Sequence, residues 1–355
     1  MATDMTSFAG REFSKIAFVL IPRFNMMTLM TTIEPMRIAN YLSPQSLFEW
    51  TYLSFEGEEI SANNGMRVRC ETPHNDSKFD IVFVVGSWGC ERYVSPSVIN
   101  WIRRQERKGS VICAFELGVY VLAQAGLLSG RLATTHWSCM AGFAEQFPMI
   151  DLREQLFTID RNLITCAGGT TGIDLMLHLI ATCHNEQLAS EVADQIMHHP
   201  VRKGDAVQRH TLGGTTDMIH PDVAAAVKII EDNVSSPLSV PEVAQEIGLS
   251  QRQLERYFKR YMGCSVVQFS QLMRLQYARV LLTTTRLSIR EVSVASGFNS
   301  MSHFSHAFLK CFGKKPSQYR QAWPDNETAP TWRGTVYSLV EASRLNAQRK
   351  AQVIK

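Results

Sequence analysis

Two patterns of hydrophobic positions divide the chain. From Lys15 to about His199, short apolar runs alternate with stretches of helical periodicity, and beyond His220 every pattern up to Trp323 is helical. The strand-like runs are Ile16–Ile21, Trp50–Phe55, Phe79–Val85, Ser110–Phe115, Arg131–Thr135 and Leu163–Cys166, and the helix-like stretches between them include Pro96–Arg107, Gly118–Leu127 and Gly172–His184. Nearly continuous β-branched runs that alternate with helices predict an α/β fold with a doubly wound, mostly parallel sheet. In such a sheet the ligand crevice lies beyond the carboxyl ends of the strands.

The same pattern sets the expected domain boundaries. A length of 355 residues predicts at least two domains. We assign residues 12–200 to the α/β domain and 221–325 to an all-α domain. Residues 201–220, rich in Gly and Thr and without periodicity, are predicted to be a linker, and 326–355 a C-terminal tail.

The helical region contains an internal repeat. Ser239–Ala244, followed by Gly248, recurs 49 residues later as Ser288–Ser293, followed by Gly297. Beyond the glycine the offset is 50, so that the apolar pair Leu254 and Phe258 is matched by Phe304 and Phe308. Each copy predicts a helix, a glycine-containing turn and a second helix, the arrangement of a helix-turn-helix unit. One long helix, Phe269–Thr283, is predicted between the two units, and we expect both to contact one asymmetric DNA site.

Apolar residues at i and i+4 hold each second helix on its core, so the opposite face is predicted to enter a major groove. On that face lie Ser250, Gln251, Arg252, Gln253 and Arg256 in the first unit, and Asn299, Ser300, Met301, Ser302, His303 and His306 in the second. Arg, Asn and Gln can make bidentate contacts with base edges. Phosphate contacts, which position the protein without specifying sequence, are predicted for Lys259, Arg260, Lys314, Lys315 and Arg320.

Charge supports a polyanionic partner for this region. The whole chain has a formal net charge of only +3, but between Arg252 and Arg320 twelve Lys or Arg face only two Glu, a local charge of +10 that leaves −7 for the remainder. Such asymmetry is typical of a nucleic-acid-binding module joined to an acidic domain.

Other compositional features exclude several classes. The eight cysteines are dispersed without a CxxC pair, and we expect them to be buried apolar residues without metal ligation or disulfides. The apolar run Ile16–Pro22 is too short for a membrane span, and no secretory signal precedes it, so a cytoplasmic protein without a membrane partner is expected. We expect no metal and no cofactor. The paired His198 and His199 near a predicted helix end are attributed to favourable placement of positive charge, because no acidic residue clusters with them at metal-ligand spacing.

The helical domain resembles the AraC/XylS family of regulators over about a hundred residues. The resemblance is carried by Gly297–Phe308 and by Phe312–Arg320, with departures at Leu309 and Cys311, where the family usually has basic residues, and at Ser293, where it usually has Ala. It implies sequence-specific binding to promoter DNA, usually activation, and contact with RNA polymerase if the protein is an activator. Because of the departures, we expect the second unit to contribute less affinity than the first.

The first domain has a strand, Val111–Phe115, that breaks sharply at Glu116-Leu117-Gly118 into a helix. This is similar to a nucleophile elbow. With Ile33–Asn40, Ala133–Trp137 and Cys166–Thr170, the region resembles the PfpI/class I glutamine amidotransferase-like, flavodoxin-like fold, and more closely the GlxA-type regulators that join this fold to an AraC-type domain. The resemblance also implies a homodimer.

Catalysis is not expected in this domain. The enzymes of the superfamily carry a cysteine at the elbow, where this sequence has Glu116, and Cys113 lies three residues earlier within the strand. Without a nucleophile, His136 has no proton to accept. A hydrolase or amidase-like enzyme remains the alternative.

A small zwitterion is the expected effector. The candidate ligand-binding residues are Glu34, Trp88, Glu116, His136, Trp137, Gly169 and Thr170. Aromatic faces with a carboxylate bind alkylated ammonium groups, and the helix that Gly169 and Thr170 open would favour a ligand carboxylate. The resemblance also implies an amino acid or a betaine-like amine. Three alternatives remain open: another metabolite class, a ligand-free dimerisation scaffold, and a structural role for Trp137 and for Glu116 as a solvated strand end.

Overall fold

The computed structural model describes Phe8, Arg11 and residues 13–208, 220–285 and 287–321. It divides into two compact units, Met1–Gln208 and Arg209–Lys355. The tail predicted at 326–355 lies outside the described residues. None of the described helices is long and apolar enough to cross a membrane.

The first unit is built on a six-stranded sheet with strand order β2-β1-β5-β6-β10-β9, in which every neighbouring pair is parallel except β9 and β10. This confirms the predicted doubly wound, mostly parallel sheet. The strands are β1 (Lys15–Leu20), β2 (Glu49–Leu53), β3 (Glu59–Ser61), β4 (Arg67–Arg69), β5 (Ile81–Gly86), β6 (Val111–Glu116), β7 (Leu132–Ala133), β8 (Asp151–Leu152), β9 (Phe157–Asp160) and β10 (Leu163–Cys166). The helices of this unit are α1 (Met26–Leu42), α2 (Pro96–Arg107), α3 (Val119–Gln124), α4 (Met140–Gln146), α5 (Thr171–Cys183) and α6 (Glu186–Gln195).

Apolar cores cover both faces of the sheet. Successive strand residues point to opposite faces, so Phe83 and Phe115 pack on the side of α1, α5 and α6, whereas Val84 and Ala114 pack on the side of α2, α3 and α4. All four are fully buried. Burial on two faces explains why these strands lack the apolar–polar alternation of a half-exposed sheet.

Some short elements differ from the sequence prediction. The run Arg131–Thr135 forms only β7, which pairs with β8 in a separate two-stranded sheet. The antiparallel edge strand β9 and the small β3–β4 hairpin were not predicted. Each of these strands has only two to four residues, too few for a hydrophobic period to be recognised.

The first unit continues beyond its expected end. In the segment 201–208, predicted to be linker, the Arg202 amide donates to the Asp174 carboxylate, and the Gly204 carbonyl accepts from the Leu156 amide at 2.9 Å. Gly204 packs so closely on the Phe157 ring that a side chain there would require the ring to move. The chain therefore leaves this unit after Gln208.

The second unit is helical within its described residues. Its helices are α7 (Pro221–Asp232), α8 (Val240–Glu246), α9 (Gln251–Tyr257, continued by a π turn over Phe258–Met262), α10 (Val266–Thr284), α11 (Ile289–Ala295), α12 (Met301–Phe312) and α13 (Pro316–Gln321). The long α10 contributes Phe269 to one core and Leu281 to the other. This confirms the predicted helix between two helix-turn-helix units.

Candidate functional site

The end of β6 forms a strained turn in the first unit. Glu116 adopts a φ of 51°, a left-handed conformation that costs free energy for a residue with a side chain. Two residues on, the backbone of Gly118 lies against the Val84 carbonyl, where a Cβ would clash. The elbow geometry that the sequence indicated is therefore present, with a carboxylate at its tip.

The Glu116 side chain is buried, with 4% of the residue exposed. Its Oε1 accepts hydrogen bonds from the Thr28 hydroxyl at 2.5 Å and from Asn25 Nδ2 at 2.7 Å, both from the start of α1. Gly168, with a φ of +85°, lies against the same carboxylate, and any side chain at 168 would overlap it. Burial raises the pKa of Glu116, and the donors from Thr28 and Asn25 partly offset that rise.

The two candidate glutamates have different surroundings. Glu116 was expected either to face a ligand or to be a solvated strand end, and its burial excludes the second role: its carboxylate accepts hydrogen bonds from α1 inside the protein. Glu34 lies further along α1, where its carboxylate makes an ion pair with Arg37 at 2.8 Å and is 43% exposed. Sequence spacing gave no indication of the Thr28–Glu116 contact, because it joins residues 88 positions apart.

The thiols of this unit are poor nucleophiles. Cys113, within β6, is fully buried, and burial raises its pKa well above that of a free thiol. Burial likewise raises the pKa of Cys139 and of Cys166 to about 12. None of these three presents a thiolate at neutral pH.

An aromatic group follows β7. The His136 and Trp137 rings lie with their centroids 5.4 Å apart, and the Trp88 ring lies 6.5 Å from His136. His136 Nδ1 is 2.6 Å from the Ser138 hydroxyl. Just before this group, the Thr135 hydroxyl donates to the Glu116 carbonyl at 2.7 Å, so the loop and the elbow are joined. The structure thus brings Trp88, His136 and Trp137 together.

The turn before α5 flanks the elbow on another side. Gly169 donates its amide to the Thr28 hydroxyl, and its carbonyl accepts from Thr31. Arg202, which sequence reasoning missed, extends to this turn: Nη2 donates to the Thr170 hydroxyl at 3.0 Å and to the buried Asp174 carboxylate at 2.5 Å. No sequence pattern connects Arg202 to Thr170, since 32 residues separate them.

The histidine pair has acidic partners after all. His198 Nε2 lies 2.9 Å from the carboxylate of Asp174 on α5, and His199 Nε2 lies 2.8 Å from that of Asp194. Sequence spacing did not indicate the partner of His198, because the fold brings Asp174 to it from 24 residues away. Over the described ranges, no three His, Cys, Asp or Glu side chains group together as metal ligands would.

In the second unit, helix ends define the two helix-turn-helix units. In the first helix-turn-helix unit, capping boxes begin both helices: Ser239 with Glu242 at α8, and Ser250 with Gln253 at α9. In the second helix-turn-helix unit, Ser288 with Glu291 forms the capping box that begins α11. Gly248 and Gly297 occupy the turns with φ values of 70° and 71°, a conformation that glycine adopts without penalty. Leu254, Phe258, Phe304 and Phe308 are fully buried and hold the second helices, as predicted.

The predicted DNA-contacting side chains point away from those cores. All of the residues proposed for base contacts are exposed: Ser250, Gln251, Arg252, Gln253, Arg256, Asn299, Ser300, Met301, Ser302, His303 and His306. Lys259, Arg260, Lys314 and Lys315 are also exposed, and Arg320 lies in α13. Some of these side chains also have local roles: Gln253 Oε1 accepts from the Ser250 amide, and Ser300 caps α12 by accepting from the His303 amide.

Aromatic rings support the basic residues of α9 and the turn after it. The Arg256 guanidinium lies 5.4 Å from the Tyr257 ring centre, and that of Arg260 lies 5.5 Å from Tyr261. His220, which caps α7, stacks on Tyr257 at 4.4 Å.

Two arginines in the basic segment have internal contacts. Arg279 is only 6% exposed and lies 5.6 Å from the Phe312 ring centre, and Arg274 lies 4.7 Å from that of Phe298 and donates to the Gly297 carbonyl. Burial lowers the pKa of Arg274. Both were counted in the local charge of +10, so that charge overstates the number of side chains able to reach phosphates.

Comparisons with known proteins match both units. Residues 14–182 match the model of the DJ-1/PfpI family, and residues 243–322 match that of a helix-turn-helix domain. The HTH-type transcriptional regulator GbdR of Pseudomonas aeruginosa is 34% identical over 90% of this chain and 89% of its own. The chain belongs to the HTH-type transcriptional regulators that join a DJ-1/PfpI domain to an AraC-type helix-turn-helix domain.

Further members of this family are similar over most of the chain. CdhR of Pseudomonas aeruginosa is 36% identical over 88% of this chain and 94% of its own, and GlxA of Rhizobium meliloti is 31% identical over 88% and 97%. Among solved structures, an AraC family transcriptional regulator from Pseudomonas putida is 21% identical with a TM-score of 0.47, covering 52% of this chain and 99% of that one.

Proposed function

We propose that this regulator binds a small zwitterionic metabolite, an amino acid or a betaine-like amine, in its DJ-1/PfpI unit, and that it does so without catalysis. Binding changes the affinity of the second unit for promoter DNA. In keeping with the family's usual behaviour, the outcome is activation, with RNA polymerase as a partner and the protein acting as a homodimer.

The absence of catalysis is supported by the elbow itself. A covalent mechanism needs an activated nucleophile beside a base. At the elbow, the Glu116 carboxylate accepts hydrogen bonds from Thr28 and Asn25 and is buried. The thiols of Cys113 and Cys166 are buried with raised pKa values. The elbow residue, which the enzymes of this fold use as a nucleophile, is here Glu116, and its hydrogen bonds join α1 to the sheet.

The single observation that carries the zwitterion proposal is that two complementary groups flank Glu116. The loop that bears His136 and Trp137 is joined to the Glu116 carbonyl through Thr135, and the turn that bears Gly169 and Thr170 packs on the Glu116 side chain. Aromatic faces attract alkylated ammonium groups, while the start of the 13-residue helix α5 favours a carboxylate. Trp88 extends the aromatic group. In this proposal Glu116 and Glu34 are not the direct partners of the ammonium group.

Thermal-shift measurements with a panel of amino acids, betaines, sugars and dicarboxylates test this proposal. A compound that binds only the folded state raises the free energy of unfolding by RT ln(1 + [L]/Kd), and the melting temperature rises with it. We expect an amino acid or betaine to stabilise the wild-type chain and Trp137→Ala to reduce that shift, while a change at the exposed Tyr41 leaves it unaltered. Stabilisation only by a sugar or dicarboxylate would assign the site to another metabolite class. If none of the compounds stabilises the chain while DNA binding is intact, the unit is a scaffold.

A further inference from the structure

We propose that the side-chain amide of Gln208 couples the candidate ligand loop to the chain segment that leads to the DNA-binding unit. The proposal rests on the proposed function, since it names the residue through which occupancy of that site is transmitted. Gln208 acts as a positioning residue: it holds the loop and has no assigned contact with a ligand.

The Gln208 amide uses both its acceptor and its donors on this loop. Oε1 accepts from the Trp137 amide at 2.7 Å. Nε2 lies within donor distance of three oxygens: the Thr135 carbonyl at 2.8 Å, the Gln155 carbonyl at 2.8 Å and the Thr134 hydroxyl at 3.0 Å. One side chain thus fixes the backbone on both sides of His136. A glutamine that merely filled space would not meet two acceptors and one donor of this loop together with the Gln155 carbonyl before β9.

The loop is held from the opposite side by the sheet. The Thr134 amide donates to the Thr165 hydroxyl of β10 at 2.7 Å, and the Thr135 hydroxyl donates to the Glu116 carbonyl. Thr165 is in turn 2.6 Å from the Thr158 hydroxyl of β9. The sheet therefore fixes one side of the loop, and Gln208 supplies the contact that belongs to the departing chain. A ligand that moves the Trp137 backbone therefore changes the hydrogen bond between the Trp137 amide and Gln208.

Gln208 lies where the chain leaves the first unit for the DNA-binding unit. Gln208 is the last residue of the first unit. The next described residue, His220, caps α7 and stacks on Tyr257 of the recognition helix α9, beside Arg256. The two ends of the intervening segment thus contact the ligand loop in one unit and the DNA-reading helix in the other. Gln208 is thus the described residue through which a change in the loop reaches the chain that leads to α7.

Thermodynamic linkage makes this testable without a known effector. If occupancy of the site changes DNA affinity, DNA must change the affinity of the site for its ligand by the same factor. In this proposal DNA does so by changing the stability of the loop that Gln208 holds. Local stability is measured by amide hydrogen exchange. DNA itself is therefore the probe: a duplex selected in vitro by the wild-type full-length chain, with exchange followed in peptides that cover residues 134–139.

Three variants separate the coupling from general damage. Gln208→Leu removes the amide at similar volume, and Gln208→Glu keeps the acceptor while removing the donors. The matched control is Gln187→Leu, because Gln187 is exposed on α6 and bonds only locally, to Glu191 at 2.7 Å. Exchange in β6, whose residues are buried throughout, shows whether each variant retains its fold.

In the wild-type chain and in Gln187→Leu, we expect the duplex to change exchange in the 134–139 peptides by about fivefold or more, within the usual range of allosteric coupling. In Gln208→Leu we expect these peptides to exchange about tenfold faster, an increase equivalent to the loss of one to two hydrogen bonds, and to respond no longer to DNA. Gln208→Glu should give the same loss of response with exchange in β6 unchanged.

Three results would overturn the proposal: loop exchange in Gln208→Leu equal to wild type, a faster loop that still responds to DNA as in wild type, or a wild-type loop that does not respond to DNA. The test is independent of the effector class. If no amino acid or betaine binds but the loop responds to DNA through Gln208, the proposed effector is wrong and the coupling stands. If an amine binds and the loop ignores DNA, the coupling is wrong and the proposed effector stands.

Discussion

The Thr28 hydroxyl donates a 2.5 Å hydrogen bond to the Glu116 carboxylate, and the same hydroxyl accepts the Gly169 amide at 2.8 Å. One threonine thereby joins α1, the end of β6 and the turn before α5. In an enzyme of this fold the elbow residue would face a substrate. In this regulator it links three elements, and we therefore propose that the surrounding loops are the parts that respond to a ligand.

This packing makes Gly168 less tolerant of substitution than its neighbour Gly169. A Cβ at 168 would overlap the Glu116 side chain, and φ is +85°, whereas a Cβ at Gly169, with φ +60°, meets open space. We expect Gly168→Ala to lower the free energy of unfolding by about 3 kcal/mol from strain and overpacking. Gly169→Ala should cost about 1 kcal/mol from backbone strain alone. Urea denaturation of both variants measures the difference, and equal costs would show that the Gly168–Glu116 contact is not tight.

Burial of Glu116 predicts a pH-dependent stability. Because its pKa is raised in the folded chain, the contribution of this group is fully present below the unfolded pKa and is lost as the pH rises through the folded pKa. The variant Glu116→Gln has a side chain of the same shape that is neutral at every pH. We expect the variant to be more stable than wild type at pH 8 in chemical denaturation, with the difference shrinking toward pH 5. Glu34→Gln, at an exposed position, should show no such trend; a pH-independent difference for Glu116→Gln would contradict the assignment.

His178 predicts the opposite dependence. Burial lowers its pKa, and the centre of its ring lies 5.7 Å from that of Phe157. The unfolded chain takes up a proton near the ordinary histidine pKa of about 6.5, whereas the folded chain resists it. Stability should therefore fall as the pH drops from 7.5 through 6.5 toward the folded pKa. We expect His178→Gln to flatten this part of the profile, and His74→Gln, at an exposed site, to leave it unchanged. An unaltered slope in His178→Gln would exclude this histidine as the cause.

The two helix-turn-helix units should contribute unequally to DNA affinity. Arg256 is exposed on α9 and supported by the Tyr257 ring, while His306 is a shorter side chain on α12. We expect Arg256→Ala to weaken binding by about 1–3 kcal/mol and to relax specificity at one base pair. His306→Ala should cost less than half of that. Fluorescence anisotropy with the selected duplex measures both losses, and equal losses would show the ranking to be wrong.

Sequence patterns predicted the elements in which hydrophobic periodicity extends over many residues. The four central strands, the long α10 and the two buried pairs Leu254–Phe258 and Phe304–Phe308 all follow from local spacing, because each packs on a core that its own periodicity describes. The elbow was recognisable because strand, turn and glycine are adjacent in sequence.

The contacts that define the candidate site could not be predicted in this way. Thr28–Glu116, Arg202–Thr170 and Gln208–Trp137 join residues that are 88, 32 and 71 positions apart. Single polar residues in loops have no periodicity, and their partners depend on the tertiary fold. The same reason explains why Arg274 and Arg279 were counted as surface charge: composition does not show that aromatic rings of α12 and its turn cover them.

Binding of the full-length chain to the selected duplex, with and without the panel of amino acids and betaines, tests the central claim most directly. The account predicts that at least one such compound changes the DNA dissociation constant by about fivefold or more, and that DNA changes the affinity for this compound by the same factor. It predicts that sugars and dicarboxylates leave the constant unchanged. A DNA affinity that none of the amines alters, or a compound that binds without any reciprocal effect of DNA, would contradict it.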